Sequence, residues 1–178
     1  MKRLYCLFAL ACLAGCSNAP VADTAPDTAK SEAVQNVPKA NYGVFVGIGP
    51  AIETRLAAEA ARQLWRLYPA PQYRLDFQQR ITDTDEFGHL LIGALQRDGH
   101  IVRQRHDPAV TPQCDQKTAG KKSESSDFIV LPVCYLVDDV SGMLRLTLYT
   151  AGDTWNRFFI EEKGKLTPTG AWSYRKGE

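Results

Sequence analysis

The sequence has little of what nucleic-acid binding, metal binding or membrane spanning requires. Its 21 basic residues are matched by 20 acidic ones, so no basic excess indicates a nucleic-acid surface. Its three histidines, His89, His100 and His106, share no metal-ligand spacing with one another or with the five cysteines. After the N-terminus, no apolar run approaches the roughly 20 residues of a spanning helix. We therefore expect neither direct nucleic-acid binding nor a metal site.

Catalytic motifs are also lacking. The chain has no Gly-x-Ser-x-Gly elbow and no Ser-x-x-Lys in a suitable context. Gly47-Ile48-Gly49-Pro50 resembles a phosphate loop only faintly, because Pro50 removes an N–H donor, and a strand-to-helix turn is favoured. Three acidic pairs lie where helix starts or turns are predicted: Asp85-Glu86, Asp138-Asp139 and Glu161-Glu162. These features predict no enzyme, no cofactor and no small-molecule substrate.

The N-terminus has the pattern of an export signal. Lys2 and Arg3 precede the mostly apolar residues 4–13, and the segment ends Leu13-Ala14-Gly15-Cys16. This ending resembles the lipobox of bacterial lipoproteins, which implies cleavage of residues 1–15 and lipid on Cys16. Ser17 rather than aspartate after that cysteine implies the outer membrane, with inner-membrane anchoring left open. The alternative is an ordinary signal peptide with a chance cysteine.

The residues after the signal divide into a tether and one domain. Residues 16–41 are rich in Ala, Pro, Asp and Ser and contain no aromatic residue, which predicts a lipid-anchored flexible linker. Aromatic residues resume at Tyr42. Residues 42–178 are therefore predicted to form one periplasmic domain, long enough to bury its own core.

The cysteines follow the same division. Cys6 and Cys12 leave with the signal peptide and Cys16 takes the lipid, so Cys114 and Cys134 remain. An oxidising compartment favours a disulfide between them, although sequence alone leaves two separate thiols open.

Apolar periodicity predicts two helices in the first half of the domain. The first has its stripe at Ile52, Leu56, Ala60, Leu64 and Leu67 and ends near Tyr68, before Pro69. Alternation predicts a strand at residues 73–77. The second helix is predicted to be capped by Thr84, to bury Phe87, Leu90, Leu91, Ala94 and Leu95, and to end at Gly99.

Short strands are predicted elsewhere: a weak one at residues 42–48, one beginning at Ile101, and a meander in the last third. In residues 128–137 the interruption by Pro132 suggests an edge strand or a bulge. Turns are expected at residues 138–142, 151–153 and 161–165. The polar residues 106–127 predict a mobile or functional loop. The fold class is therefore α+β, with two helices packed on a mostly antiparallel sheet.

The residues also resemble a known family, the TrbH conjugal-transfer lipoproteins. The segments that carry the resemblance are 63–69 (QLWRLYP), 73–77 (YRLDF), Phe87-Gly88 with Leu91, Ala94-Leu95 and Gly99, 144–148 (LRLTL), 156–158 (NRF) and 168–173 (PTGAWS). The resemblance implies a non-enzymatic part in the type IV secretion (mating-pair formation) apparatus, with other envelope or secretion-channel proteins as partners. Cys114, Cys134 and the basic loop beside Cys114 are not part of this pattern.

Two other functions are also compatible with the sequence. The front half also resembles partner-binding modules of cell-envelope assembly, such as activators of peptidoglycan synthases or factors of another secretion system. A periplasmic hydrolase or lectin would need a polar cluster that only the fold reveals, and a pocket holding Asp138, Asp139 and a histidine would favour it. For partner binding, one hypothesis is main-chain pairing to an exposed edge of the Pro132 strand.

Overall fold

The computed structural model of the protein describes residues 42–105, 114 and 128–177. These residues belong to one compact unit, Lys39–Glu178. The predicted signal peptide 1–15, the lipidation residue Cys16 and the linker 16–41 lie outside the described residues, as does the loop 106–127 apart from Cys114.

Two helices and eight strands make up the described part of the chain. In order they are β1 (Gly43–Val44), α1 (Pro50–Leu67), β2 (Tyr73–Phe77), α2 (Glu86–Arg97), β3 (Ile101–Gln104), β4 (Ile129–Val140), β5 (Met143–Thr150), β6 (Asp153–Glu162), β7 (Lys165–Pro168) and β8 (Ser173–Arg175). Neither helix combines the length and apolar character needed to cross a membrane.

Helix α1 agrees with its predicted pattern. Gly49 is the N-cap residue and Pro50 follows in the first turn, where a missing N–H removes no helical bond. The predicted stripe is buried from Ile52 to Leu64, whereas Leu67 is only partly buried. The Gly47–Pro50 segment is therefore a strand-to-helix turn, and only Gly43–Val44 of the predicted first strand pairs in the sheet.

The predicted cap of α2 is wrong by one residue. Asp85, not Thr84, is the N-cap residue, and its carboxylate accepts a hydrogen bond from the Gly88 N–H at 2.9 Å. The same carboxylate accepts the Tyr135 hydroxyl at 2.5 Å. Asp85 is favoured over Thr84 as the N-cap residue because it also binds Tyr135, which lies in β4, 50 residues further along the chain. No local sequence pattern reveals such a partner.

The sheet has the order β3-β2-β4-β5-β6-β7, with β1 paired to β4 and β8 to β6. Strands β1, β2 and β3 run parallel to their neighbours, and the pairings from β4 onward are antiparallel. Each helix connects two of the parallel strands, as β-α-β units require. The predicted α+β class, with two helices on a mixed, mostly antiparallel sheet, is confirmed.

The prediction that Pro132 marks an edge strand or bulge is wrong. Strand β4 is internal, between β2 and β1 on one side and β5 on the other. The ladder with β5 begins only at Val133, and the Pro132 carbonyl accepts the N–H of Ala151 in the adjoining turn. The missing N–H of Pro132 therefore points past the end of β5, and the strand loses no ladder bond. Strands β2 and β1 pair with β4 on one side at residues 129–133 and 136–137, and β5 pairs with it on the other, so a partner strand cannot pair with β4 beside Pro132.

The hairpin turns are shorter than predicted. Only Ser141-Gly142, Ala151-Gly152 and Lys163-Gly164 form the loops, and both residues of each have positive φ. Such two-residue turns match the twist of the strands that they connect. Asp138 and Asp139, predicted in a turn, therefore lie in β4, opposite residues of β5.

The core lies between the helices and one face of the sheet. Its largest buried side chains alternate along the strands and point to the helices; they include Leu75, Phe77, Tyr135, Leu146, Leu148 and Phe159. The intervening residues, such as Cys134, point to the opposite face. Cys134 is bonded there to Cys114, with Cα atoms 5.9 Å apart, and the Cys114 carbonyl accepts the Gly152 N–H at 3.1 Å.

Candidate partner-binding surface

The acidic pair Asp138-Asp139, which the sequence singled out, has structural partners. Arg145 donates from Nε to the Asp138 carboxylate at 2.9 Å, and this hydrogen bond raises the pKa of the arginine. Asp139 accepts the Gly142 N–H at 3.0 Å and so holds the β4–β5 turn. No histidine is among the hydrogen-bond partners of either aspartate in the described part of the chain.

The histidines are also placed apart. His89 contacts the Thr82 carbonyl at 3.1 Å on the exposed side of α2, and the buried His100 contacts the Tyr68 carbonyl at 2.8 Å. His106 lies outside the described residues. Within residues 42–105, 114 and 128–177, no three His, Cys, Asp or Glu side chains are grouped as metal ligands.

A groove between the C-terminal halves of α1 and α2 is the first surface suited to a partner. It has a volume of about 540 Å³, and we call it the Trp65 groove; its lining residues are Ala58, Ala61, Arg62, Trp65, Ala94, Arg97 and Asp98. Trp65 follows the buried Leu64 but lies off the α1 stripe, and it is 50% exposed. The alanines leave room beside the indole because their side chains are short.

The Trp65 groove contains one tryptophan and two arginines, which are residue types enriched at protein interfaces. Tryptophan and arginine are the residue types that most often dominate binding energy at protein interfaces. Arg62 pairs with Glu59 on α1, yet its side chain remains 62% exposed. Arg97 forms no ion pair within the described residues. The groove therefore offers an apolar ring flanked by available guanidinium groups.

A second surface, which we call the Phe45 cleft, lies at the N-terminal ends of both helices. It encloses about 440 Å³ between the segment 42–48 and the residues Glu53, Arg80, Thr82, Thr84, Asp85 and Glu86. Phe45 is 57% exposed beside these charged groups. The pKa of Glu53 is raised, first by burial and then by repulsion from Glu86 and Asp85. Three carboxylates therefore lie close together in this cleft.

Sequence reasoning missed both surfaces. Trp65 lies within one of the segments that resemble the known family, but no pattern in that segment states that the indole is exposed. The signal available was its position off the apolar stripe of α1, next to Leu64. Phe45 falls within the weak strand predicted at residues 42–48, which in the structure ends at Val44.

A comparison with protein families gives an independent finding. A family model described as conjugal transfer protein TrbH matches residues 39–176. This region contains both helices and all eight strands described above. Neither a curated protein nor a solved structure matches the chain.

Proposed function

This chain belongs to the TrbH family of conjugal transfer proteins, and we propose that it is an outer-membrane lipoprotein of the transfer apparatus. In this proposal it is a structural or assembly component of the type IV secretion (mating-pair formation) machinery and catalyses no reaction. Lipid on Cys16 attaches it to the membrane, and its periplasmic domain binds a protein partner in the envelope through the Trp65 groove.

Support for the anchor comes from the sequence. Small residues directly before Cys16, at the end of an apolar run, are the pattern of a lipoprotein signal. Three acyl chains attach a protein stably, because two already suffice where one is marginal. In this proposal residues 16–41 are a flexible linker, for which a root-mean-square span of about 25–30 Å is expected. The domain would thus reach partners near, but not at, the membrane surface.

The single observation that carries the partner-binding part is the exposure of Trp65 in a groove. Half of a tryptophan surface corresponds to about 100 Å² of largely apolar area. Covering that area contributes about 2.5 kcal/mol at about 25 cal/mol per Å². Isolated exposed apolar residues are common, but this one lies beside arginines and above short alanines, where a partner side chain can fit.

A donor that carries only the Trp65→Ala variant should transfer DNA poorly, although the variant protein remains folded. Loss of about 2.5 kcal/mol corresponds to between one and two orders of magnitude in affinity. We expect transfer frequency from a donor that carries only this variant to fall at least about tenfold, with protein levels unchanged. Tyr174→Ala is the matched control, because Tyr174 is also 50% exposed and lies away from the groove, on β8. If the Trp65→Ala donor transferred DNA at the wild-type frequency, the groove would be excluded as the partner-binding surface.

The Cys16→Ala variant tests the anchor. In a donor deleted for the gene, wild type should restore transfer and Cys16→Ala should not, because the unlipidated protein leaves the membrane. Membrane fractionation and transfer frequency are measured together. Ser17→Asp is the informative control: it keeps the lipidated cysteine and alters only the residue that directs sorting. Transfer that survives deletion of the gene would contradict the proposal and favour a role in general cell-envelope assembly.

A further inference from the structure

The two ends of the helical layer carry opposite charge. Arg62 and Arg97 outnumber Asp98 in the Trp65 groove. In the Phe45 cleft the balance is reversed, since its charged residues are Glu53, Asp85, Glu86 and one arginine, Arg80. Each surface also carries a half-exposed aromatic ring. The two surfaces are therefore complementary in charge and similar in apolar content.

The charges on both surfaces are available to a partner. Glu53, Glu86 and Arg97 form no ion pair within the described part of the chain. Asp85 is engaged by Gly88 and Tyr135, but it still repels Glu53. A guanidinium brought to Glu53 and Glu86 would relieve this like-charge repulsion. The same contact would give Arg97 the carboxylate partner that it lacks.

One copy of the domain cannot join its own two surfaces. The N-terminal ends of α1 and α2 meet in the Phe45 cleft, and their C-terminal halves meet in the Trp65 groove. Glu53 and Trp65 are twelve positions apart on α1, which is about 18 Å at 1.5 Å per residue. Because α1 contributes residues to both surfaces and holds them this far apart, the two surfaces of one copy cannot touch each other. Contact between a Trp65 groove and a Phe45 cleft therefore requires two molecules.

We propose that the Trp65 groove of one copy of this chain packs against the Phe45 cleft of a second copy. Arg62 and Arg97 of one copy face Glu53 and Glu86 of the next, and the two exposed aromatic rings are covered. This inference rests on the proposed use of the Trp65 groove as a binding surface. Because the contact joins two different surfaces, every copy keeps one of each free, and the assembly either closes into a ring or grows as an open chain.

Cysteine cross-linking of the full-length lipoprotein in its own membrane tests this arrangement. The variants are Arg97→Cys, Glu86→Cys and the double variant, treated with a short bismaleimide; Cys114 and Cys134 are bonded to each other and do not react. The double variant should give a ladder of dimers, trimers and larger species. Each single variant alone should stay monomeric, and co-expression of the two single variants should give dimers only.

Charge reversal supplies the specificity control. In the double cysteine variant, Arg62→Glu places like charges together and should reduce the ladder at least about tenfold, and adding Glu53→Arg should restore it. Arg55→Glu is the matched control, since Arg55 is exposed on α1 outside the groove and its reversal should leave the ladder intact. Raising the salt concentration should weaken cross-linking of the double cysteine variant, because exposed charges are screened.

The outcomes separate the two proposals. A double cysteine variant that stays monomeric, in cells where Trp65→Ala abolishes transfer, would overturn self-association and leave the groove as the site of a different partner. Dimers from a single cysteine variant would also overturn the head-to-tail contact, because they indicate a symmetric one. If the double cysteine variant gives a ladder and the Trp65→Ala donor transfers DNA normally, the copies associate as proposed. The role of the groove in transfer would then be overturned.

Discussion

Gly88→Ala is expected to destabilise the protein by about 3 kcal/mol, through one added methyl group. A Cβ at this position would overlap the Tyr135 hydroxyl oxygen and lie 2.9 Å from Ile81 Cγ2. Tyr135 is fully buried, and its ring packs edge-on against Phe87 at a centroid distance of 4.8 Å, so it cannot simply move away. Overpacking of this kind costs about 1–3 kcal/mol.

The remaining loss comes from the hydrogen bonds at Asp85. Burial, and then the hydrogen bond to Asp85, raise the pKa of Tyr135, so its hydroxyl keeps the proton and donates it. Displacing the ring breaks this 2.5 Å bond and disturbs the Asp85 cap on Gly88. An unmade buried hydrogen bond costs about 1–3 kcal/mol and a lost cap about 1 kcal/mol. These effects overlap, which keeps the total near about 3 kcal/mol rather than their sum.

The measurement is urea unfolding of residues 17–178, followed by tryptophan fluorescence. Gly93→Ala is the matched control, because Gly93 lies on the same helix and a Cβ there meets nothing within 4 Å. Alanine is the better helix former, so this control should gain up to about 1 kcal/mol. Tyr135→Phe should cost less in the Gly88→Ala background than alone, since it removes the overlapping oxygen. Equal stability of the Gly88→Ala and Gly93→Ala proteins would refute the packing account.

Loss of the bond between Cys114 and Cys134 is expected to lower the free energy of unfolding by about 3 kcal/mol. The two residues are 20 positions apart, and closing a loop of this length restricts the unfolded chain by about that amount in the chain-entropy model. Both side chains are fully buried, and Cys134 lies in the central strand β4. The bond therefore fixes Cys114 to the sheet face away from the helices.

Unfolding of protein exported to the periplasm is compared with and without a thiol reductant, and with the Cys114→Ala/Cys134→Ala variant. Reductant should shift the midpoint of the wild type close to that of the variant and leave the variant unchanged. Mass measurement of alkylated protein shows whether the thiols were joined. A wild type with alkylated, free thiols and an undiminished midpoint would be inconsistent with a stabilising bond.

Patterns within a single element were readable from the sequence. The stripe from Ile52 to Leu64 predicted α1, and the alternation in residues 73–77 predicted β2 with its observed bounds. The order of two helices and later hairpins predicted the α+β class. The sequence segments also carried the family resemblance, which the match over residues 39–176 confirms. Each of these signals is local, because helix and strand periods repeat within a few residues.

Only the tertiary structure decided the position of β4, the contact of Gly88 with Tyr135 and the exposure of Trp65. The sequence around Pro132 predicted an edge strand or a bulge, whereas in the structure β2 and β5 lie on the two sides of β4. Asp85 became the cap of α2 because its second partner comes from a strand 50 residues away. The Trp65 groove exists because α1 and α2 lie side by side. Periodicity reports which face of an element is buried, whereas the element that covers it is chosen by contacts between distant parts of the chain.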